Sequence, residues 1–348
     1  MKQSVIVKST LAVILAALTL TTHSQAQSGI LAQPVGIFTV PVVGPKKLNL
    51  LATPFARPSV AQGTISAQSG STLTVTQVPA MASDTPYVLE ILDGDYIGVV
   101  SLVTASTGNT SGGTVTIQYT LPTGAIASGT RYGIRPDWTI AELFGPAATT
   151  QIGSSTSYGN GDQIQILNPV TQQLENIYRL RTGSSGSFTY SWRTQAGVLA
   201  DNVRVPLGEG FIVYRFPSTT LNLRLSGELR QSRTRKEIKG GQKLNVVSNP
   251  NPYAVKLIQS GLVISSGTGP AGADNVHFVN PNTGSFVTYY RNSNLAGRWT
   301  AADGSDASNV TIPAGGSIII QRKSGSGDLL GTSALKLNPI PYASAPGI

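Results

Sequence analysis

Short apolar-rich runs with partial period-two alternation, each closed by a turn signal, recur along this chain. Such runs are expected of half-buried strands. The clearest are 162–167, Asp-Gln-Ile-Gln-Ile-Leu, and 274–279, Asp-Asn-Val-His-Phe-Val. Asn168-Pro169 and Asn280-Pro281 follow at once. Proline presets φ for the second position of a tight turn, and the asparagine before it can bond its own backbone. The chain therefore reverses, and a second strand carries Tyr178-Arg179 or Tyr290-Arg291. A Val-x-Val/Ile-Pro-x-Gly element, 203–208 or 310–315, then leads into a last strand, 211–216 or 318–322.

The two stretches keep register. They lie 112 residues apart at Asp162/Asp274, Asn168/Asn280 and Arg179/Arg291, and 107 apart at Trp192/Trp299, Pro206/Pro313 and Arg215/Arg322. Agreement over so many positions reads as a duplication with one five-residue shortening. The unit is larger still, because Lys47-Leu48-Asn49 with Pro54 is echoed 196 residues later by Lys243-Leu244-Asn245 with Pro250. One meander cannot bury both of its faces, and two in one chain can cover each other.

The predicted fold is all-β: two duplicated sandwich-like units, the first interrupted by a small β-barrel-like module. The boundaries read as 27–225 for the first unit with its insertion at about 63–159, 226–332 for the second, and 333–348 for a tail. Within the insertion, 72–77, 87–92, 97–103 and 114–119 have strand character, divided by Gly/Ser/Thr/Asn-rich turns. Asp137 is placed to cap one short helical turn running to Phe144. A further strand is expected at 34–41, between Pro34 and Pro41.

Composition changes the compartment more than the fold. Lys2 and Lys8, the apolar 11–20 and Ser24-Gln25-Ala26 have the layout of a secretory signal over residues 1–26. The expectation is export to the cell surface or the medium, with the periplasm as the other compartment. The net charge is +9, and loss of two lysines with the signal leaves +7. There is no cysteine, so neither disulfides nor a lipidated cysteine contributes, and the fold must hold by burial. No stretch after the signal is long and apolar enough for a helical membrane span.

Four motifs resemble a paralogous family of secreted proteins from Verrucomicrobia-type bacteria. They are Pro34-Val-Gly-Ile-Phe-Thr-Val, Tyr87-Val-Leu-Glu-Ile-Leu-Asp-Gly, Ile134-Arg-Pro-Asp-Trp-Thr, and the closing Trp…Pro-x-Gly-x-Gly-Phe. The Leu-Asn-x-x-x-Asn-Pro and Ile-Pro-x-Gly pattern also looks like modules of surface proteins exported by gliding bacteria. Neither resemblance supplies catalytic residues.

Candidate chemistry is sparse. Arg230, Arg233, Arg235, Lys236 and Lys239 form the densest charge and could meet an anionic polysaccharide or another cell-envelope component. The plainer alternative is a solvated link between units, running into a charge-guarded edge strand. No aromatics are interleaved, which disfavours single-stranded nucleic acid. No phosphate-cradling glycine loop precedes a helix, so no nucleotide or other cofactor is expected. Asp93-Gly-Asp95 and Asp303-Gly-Ser-Asp306 read as turns rather than calcium loops, and no metal is expected. His277, the one histidine beyond the signal, stands where the first copy has Gln165 and reads as an ordinary strand residue. Tyr178/Tyr290 and Trp192/Trp299 read as packing anchors before sugar platforms. Arg179/Arg291 and Arg215/Arg322 read as strand-end charges that could stack on the tryptophans.

The function expected is an exported, non-enzymatic structural or adhesive protein that contacts anionic glycans. Two alternatives stand beside it: a lyase-like polysaccharide enzyme using tyrosine and arginine, and an outer-membrane β-barrel.

Overall fold

A computed structural model describes residues 35–168, 171–230, 234–262 and 264–323, whose regular structure is almost entirely strand. The expected signal, the Pro169 turn position, Arg233 and the 333–348 tail lie outside the described residues.

Two sheets share one strand order. The first runs Thr189–Thr194, Leu174–Thr182, Gln163–Leu167, Phe211–Arg215, Lys47–Leu51, with a sixth, two-residue strand, Ser154–Ser155, parallel to Leu174–Thr182. The second runs Arg298–Ala301, Phe286–Asn292, Asn275–Val279, Ser317–Gln321, Leu244–Ser248. Each is joined by a two-residue ladder from the Pro-x-Gly element, Trp138–Thr139 with Arg204–Val205 and Val255–Lys256 with Thr311–Ile312. Matching residues make matching bonds. Asn49 Nδ2 donates to the carbonyls of Val43, Lys47 and Val213, while its Oδ1 accepts from the Val43 amide. Asn245 repeats this with Lys239, Lys243 and Ile320. Asp162 accepts from the amides of Gly153 and Phe216, and Asp274 from those of Ser265 and Lys323. A buried asparagine that pins three carbonyls explains why Lys-Leu-Asn recurs.

The sheets differ in what covers them. Over the first lies a three-stranded sheet, Val35–Val42, Leu221–Leu229 and Phe55–Ala56. Between the two sheets sits a core that includes Val40, Val42, Leu223, Ile164, Ile177 and Trp192. The Leu221–Leu229 strand was not foreseen, although its alternation of buried Leu221, Leu223 and Leu225 with exposed Asn222, Arg224 and Ser226 has the strand period. Over the second sheet, Leu257, Leu262 and Ile238 close the core instead. Among the described residues the second sheet has no three-stranded partner, so the likeness of the halves lies in sheet and ladder.

The two sheets meet through their other faces. Leu50, Leu167 and Ile212 of the first pack on Val246 and Ile319 of the second. The contact is self-complementary. The Ala52 amide donates to the Gly315 carbonyl and the Ser248 amide to the Gly208 carbonyl, and these two bonds exchange under the repeat offsets. The bridges Leu51–Gly316 and Glu209–Val247 exchange likewise. Gly210 and Ser317, equivalent positions, face each other on this local twofold: a Cβ on Gly210 would lie 2.2 Å from the Ser317 Cβ. Strands buried on both faces read as continuous apolar runs, as in Ile318-Ile319-Ile320.

The insertion is a closed six-stranded barrel, with strands Ala61–Ser69, Thr72–Val75, Tyr87–Ile91, Val100–Asn109, Gly112–Ile117 and Thr130–Pro136. Ile65, Leu73, Leu89, Ile91, Val115 and Tyr132 fill its interior. The barrel runs from Ala61 to Pro136. Residues that follow belong to the first sheet's cover, including the helix Ile140–Phe144. That helix is capped by Thr139 in a capping box with Glu142, not by Asp137. Asp137 is buried and instead holds Arg204 and the amides of Trp138 and Leu207.

The close approach at the local twofold generates a test. Gly210→Ala should cost about 1–3 kcal/mol through overpacking, and adding Ser317→Gly should recover part of that loss. Urea unfolding of the three variants measures this. No loss in Gly210→Ala would mean that the sheets can part freely there.

Candidate functional site

The cationic run does not form a free surface. Arg230 leaves the Leu221–Leu229 strand and turns inward, where its guanidinium donates to Glu90 at 2.6 Å and to the Thr234 hydroxyl at 2.8 Å. Glu90, on the barrel strand Tyr87–Ile91, also pairs with Arg135 at 3.1 Å, and Arg135 reaches Glu228 at 3.5 Å. Both side chains of the Arg230–Glu90 pair are at most 2% exposed. Two acids and two arginines thus lock the barrel to the body. Beside them Ala56, Val88, Val100 and Leu207 form an apolar seam. Arg235 is buried too, its amide bonded to the Gly98 carbonyl. Lys236 pairs with Glu209 and Lys239 with Glu237. Each of these four residues is thus buried or paired with an acid of this chain. Net charge along the sequence could not show that, since Glu90 and Glu209 are distant in the chain.

Lys236 and Lys239 do help to line an open cleft of about 370 Å³ where barrel, first sheet and connecting segment meet. Tyr119 and Gln118 come from the barrel side, Asn168 and Glu175 from the sheet, and Arg204 and Glu209 from the ladder region. Burial works against the charge of Lys236, but the Glu209 carboxylate outweighs it and holds the ammonium above its ordinary value, with Tyr119 contributing. Arg204 follows the same logic: burial opposes its charge, and Asp137 and Glu209 more than compensate. Burial pushes the Asp137 carboxyl up, against the pull of Arg204 and two amides. The walls therefore match cations with acids, beside the apolar Leu102, Ile166, Leu167 and Pro206.

The other singled-out residues fall into structural places. Trp192 is fully buried, its indole N–H donating to the Gly145 carbonyl at 3.0 Å. Trp299, Tyr178 and Tyr290 are buried as well. The arginines do not stack on the tryptophans: Arg179 lies over Tyr190, 4.0 Å from the ring centroid, and Arg215 pairs with Asp162. Asp93 accepts from the Arg131 amide and pairs with its side chain, while Asp303 and Asp306 accept from the amides of Ser305 and Ser308. Among the described residues, no three His, Asp or Glu side chains gather as a metal ion would need. His277 Nδ1 contacts the Thr288 hydroxyl at 2.9 Å.

No family model, curated protein or solved structure matches this chain.

Two outcomes are expected here. Arg230→Ala takes from buried Glu90 its 2.6 Å partner, leaving Arg135 to hold it, and should cost about 3 kcal/mol, whereas Arg131→Ala, in an exposed pair, should cost less than about 1 kcal/mol. Similar small losses for both, in urea unfolding, would remove the lock. Burial pushes the His277 imidazole below its ordinary 6.5, against a hydrogen bond that the ring donates to Gln321. The unfolded chain therefore binds this proton more readily, and stability falls as pH drops through 6.5 toward the folded value. His277→Gln, the residue at the matching Gln165, should flatten that slope in a pH series of melting temperatures.

Proposed function

We propose that this chain is an exported structural or adhesive protein of a cell surface or extracellular matrix. One observation carries the proposal: a connected group of buried charged side chains joins the modules. Glu90, Arg135 and Arg230 join barrel to body, and Lys236 with Glu209 braces the segment between the sheets. A body whose modules are tied together by buried charge is suited to bearing load or presenting surfaces. Export rests on the signal-like layout of residues 1–26 and on the resemblance to secreted proteins. For a partner, the junction cleft, with its cations matched by acids, favours a hydroxyl-rich glycan segment over the anionic one expected from the cationic run.

A second reading has its own observation. Tyr119 sits in one cleft with Arg204, Lys236 and Glu209, the residue types that a polysaccharide lyase needs to remove a proton beside a neutralised carboxylate. The matched acids weaken that reading, since they already neutralise the cations. The outer-membrane barrel reading is disfavoured by the filling of the barrel. Its apolar side chains point inward, whereas a membrane barrel turns its apolar band outward. Among the described residues no helix is long and apolar enough to cross a membrane.

Fractionation of cells making a tagged copy, with pull-down of envelope polysaccharide by the pure protein, tests the proposal. The tag should appear at the surface or in the medium, and Tyr119→Ala should weaken glycan retention without unfolding the protein. Cytosolic retention would overturn export. Release of unsaturated uronate products from a polyuronate, abolished by Tyr119→Phe, would replace the structural reading with the lyase.

A further inference from the structure

The two sheets treat their matching tryptophans differently, and the difference leaves a cavity. In the first half, the chain from the helix start at Ile140 to Gly153 spans 13 residues; in the second, from Leu257 to Ser265, it spans 8. The end points are equivalent by their bonds. The amides of Ile140 and Leu257 donate to the carbonyls of Val203 and Val310, and those of Gly153 and Ser265 to Asp162 and Asp274. The second half is thus five residues shorter here.

What those residues do in the first half is on view. Residues 145–152 form a tight turn, in which the amides of Thr149 and Thr150 both donate to the Pro146 carbonyl. Ala147 is buried against the core. The turn presents a row of carbonyl oxygens to two side chains. The Gly145 carbonyl takes the Trp192 indole N–H, and those of Ala147, Ala148 and Ile152 take the Arg179 guanidinium. One segment of small residues thereby satisfies an indole and a guanidinium together.

In the second half the same two residue types line a cavity of about 360 Å³. Trp299 and Arg291 form part of its wall, with Arg298 beside them. Among the described residues the Trp299 indole makes no hydrogen bond, and the Arg291 side chain makes one, from Nε to the Gly297 carbonyl at 2.9 Å. The rim carries Ile258 and Leu295, 63% and 40% exposed, which are costly side chains to leave in water. A mixed pocket, with Leu257, Leu262 and the Trp299 ring beside unused donors, is suited to an occupant that brings small apolar groups and carbonyl acceptors together.

We infer that the cavity beside Trp299 is a docking site for a tight turn of small residues on a partner polypeptide, filling the place that residues 145–152 fill beside Trp192. Carbonyl oxygens of the incoming turn accept from the Trp299 indole and the free end of Arg291, and its small side chains cover Ile258 and Leu295. A second copy of this chain is not the source through its own 145–152 turn, because that turn is already seated against Trp192. The inference does not depend on export or on the junction cleft.

The probe is the acetylated and amidated peptide of residues 145–152, Gly-Pro-Ala-Ala-Thr-Thr-Gln-Ile, added to the full chain. Indole N–H resonances, assigned by Trp→Phe substitutions, provide the readout. At millimolar peptide the Trp299 signal should shift saturably while those of Trp138 and Trp192 stay in place. Ile258→Asp, on the exposed rim, should weaken binding about tenfold without affecting the fold. Absence of any Trp299 shift, or an unchanged affinity in Ile258→Asp, overturns the inference. So does a shift produced by oligogalacturonate and not by the peptide, which would make the cavity a carboxylate-sugar site.

Discussion

The face-to-face packing of the two like sheets is the constraint from which the remaining architecture follows. Leu50, Leu167, Ile212, Val246 and Ile319 are removed from water because the two sheets cover each other on that side. The approach is close enough that one of two equivalent positions must lack a side chain, and Gly210 supplies it opposite Ser317. Fixing that layer fixes the edge strands Lys47–Leu51 and Leu244–Ser248, both of which are buried on two faces. Their asparagines then have no water to bond, and so each takes up three carbonyls and an amide around it. Packing and polar satisfaction are coupled through one short motif.

Outside that layer the halves diverge according to what each must cover. The first sheet receives a second sheet, a helix and a long turn, and the barrel is attached beside them through buried charge. The second sheet is closed by Leu257, Leu262 and Ile238 with a shortened loop, which leaves ring and guanidinium groups facing space. Buried ion pairs are poor sources of stability but strict about geometry, since each demands its partner in place. The Glu90–Arg135–Arg230 group therefore fits a role in orienting the barrel rather than in strengthening it.

Much of the fold was legible because its signals are local. Asn168 and Asn280 closed their strands, the Pro-x-Gly elements opened the last ones, and the 112- and 107-residue offsets named the equivalent strands. The Leu221–Leu229 strand has a clean alternation, yet it lies outside the repeated motifs that guided the expectation. The barrel strand Ala61–Ser69 was obscured for another reason: its bulge near Ile65 and its many small polar residues blur the period. The site was less legible still. The run 230–239 reads as exposed charge because its acids come from elsewhere, Glu90 from 140 residues away and Glu209 from another strand's approach. Likewise, nothing in the spacing of Trp192 and Trp299 tells which indole finds an acceptor. That depends on five residues inserted in a loop remote from both.

The self-matching contact between the sheets also has a bearing on how the molecule meets dilution. Two separate chains bearing these faces would associate only above some threshold abundance, with each escape costing the pair its shared layer. Residing on a single polypeptide, the faces keep a fixed effective molarity however few molecules are present. High dilution thus leaves this molecule assembled where a two-chain version would come apart.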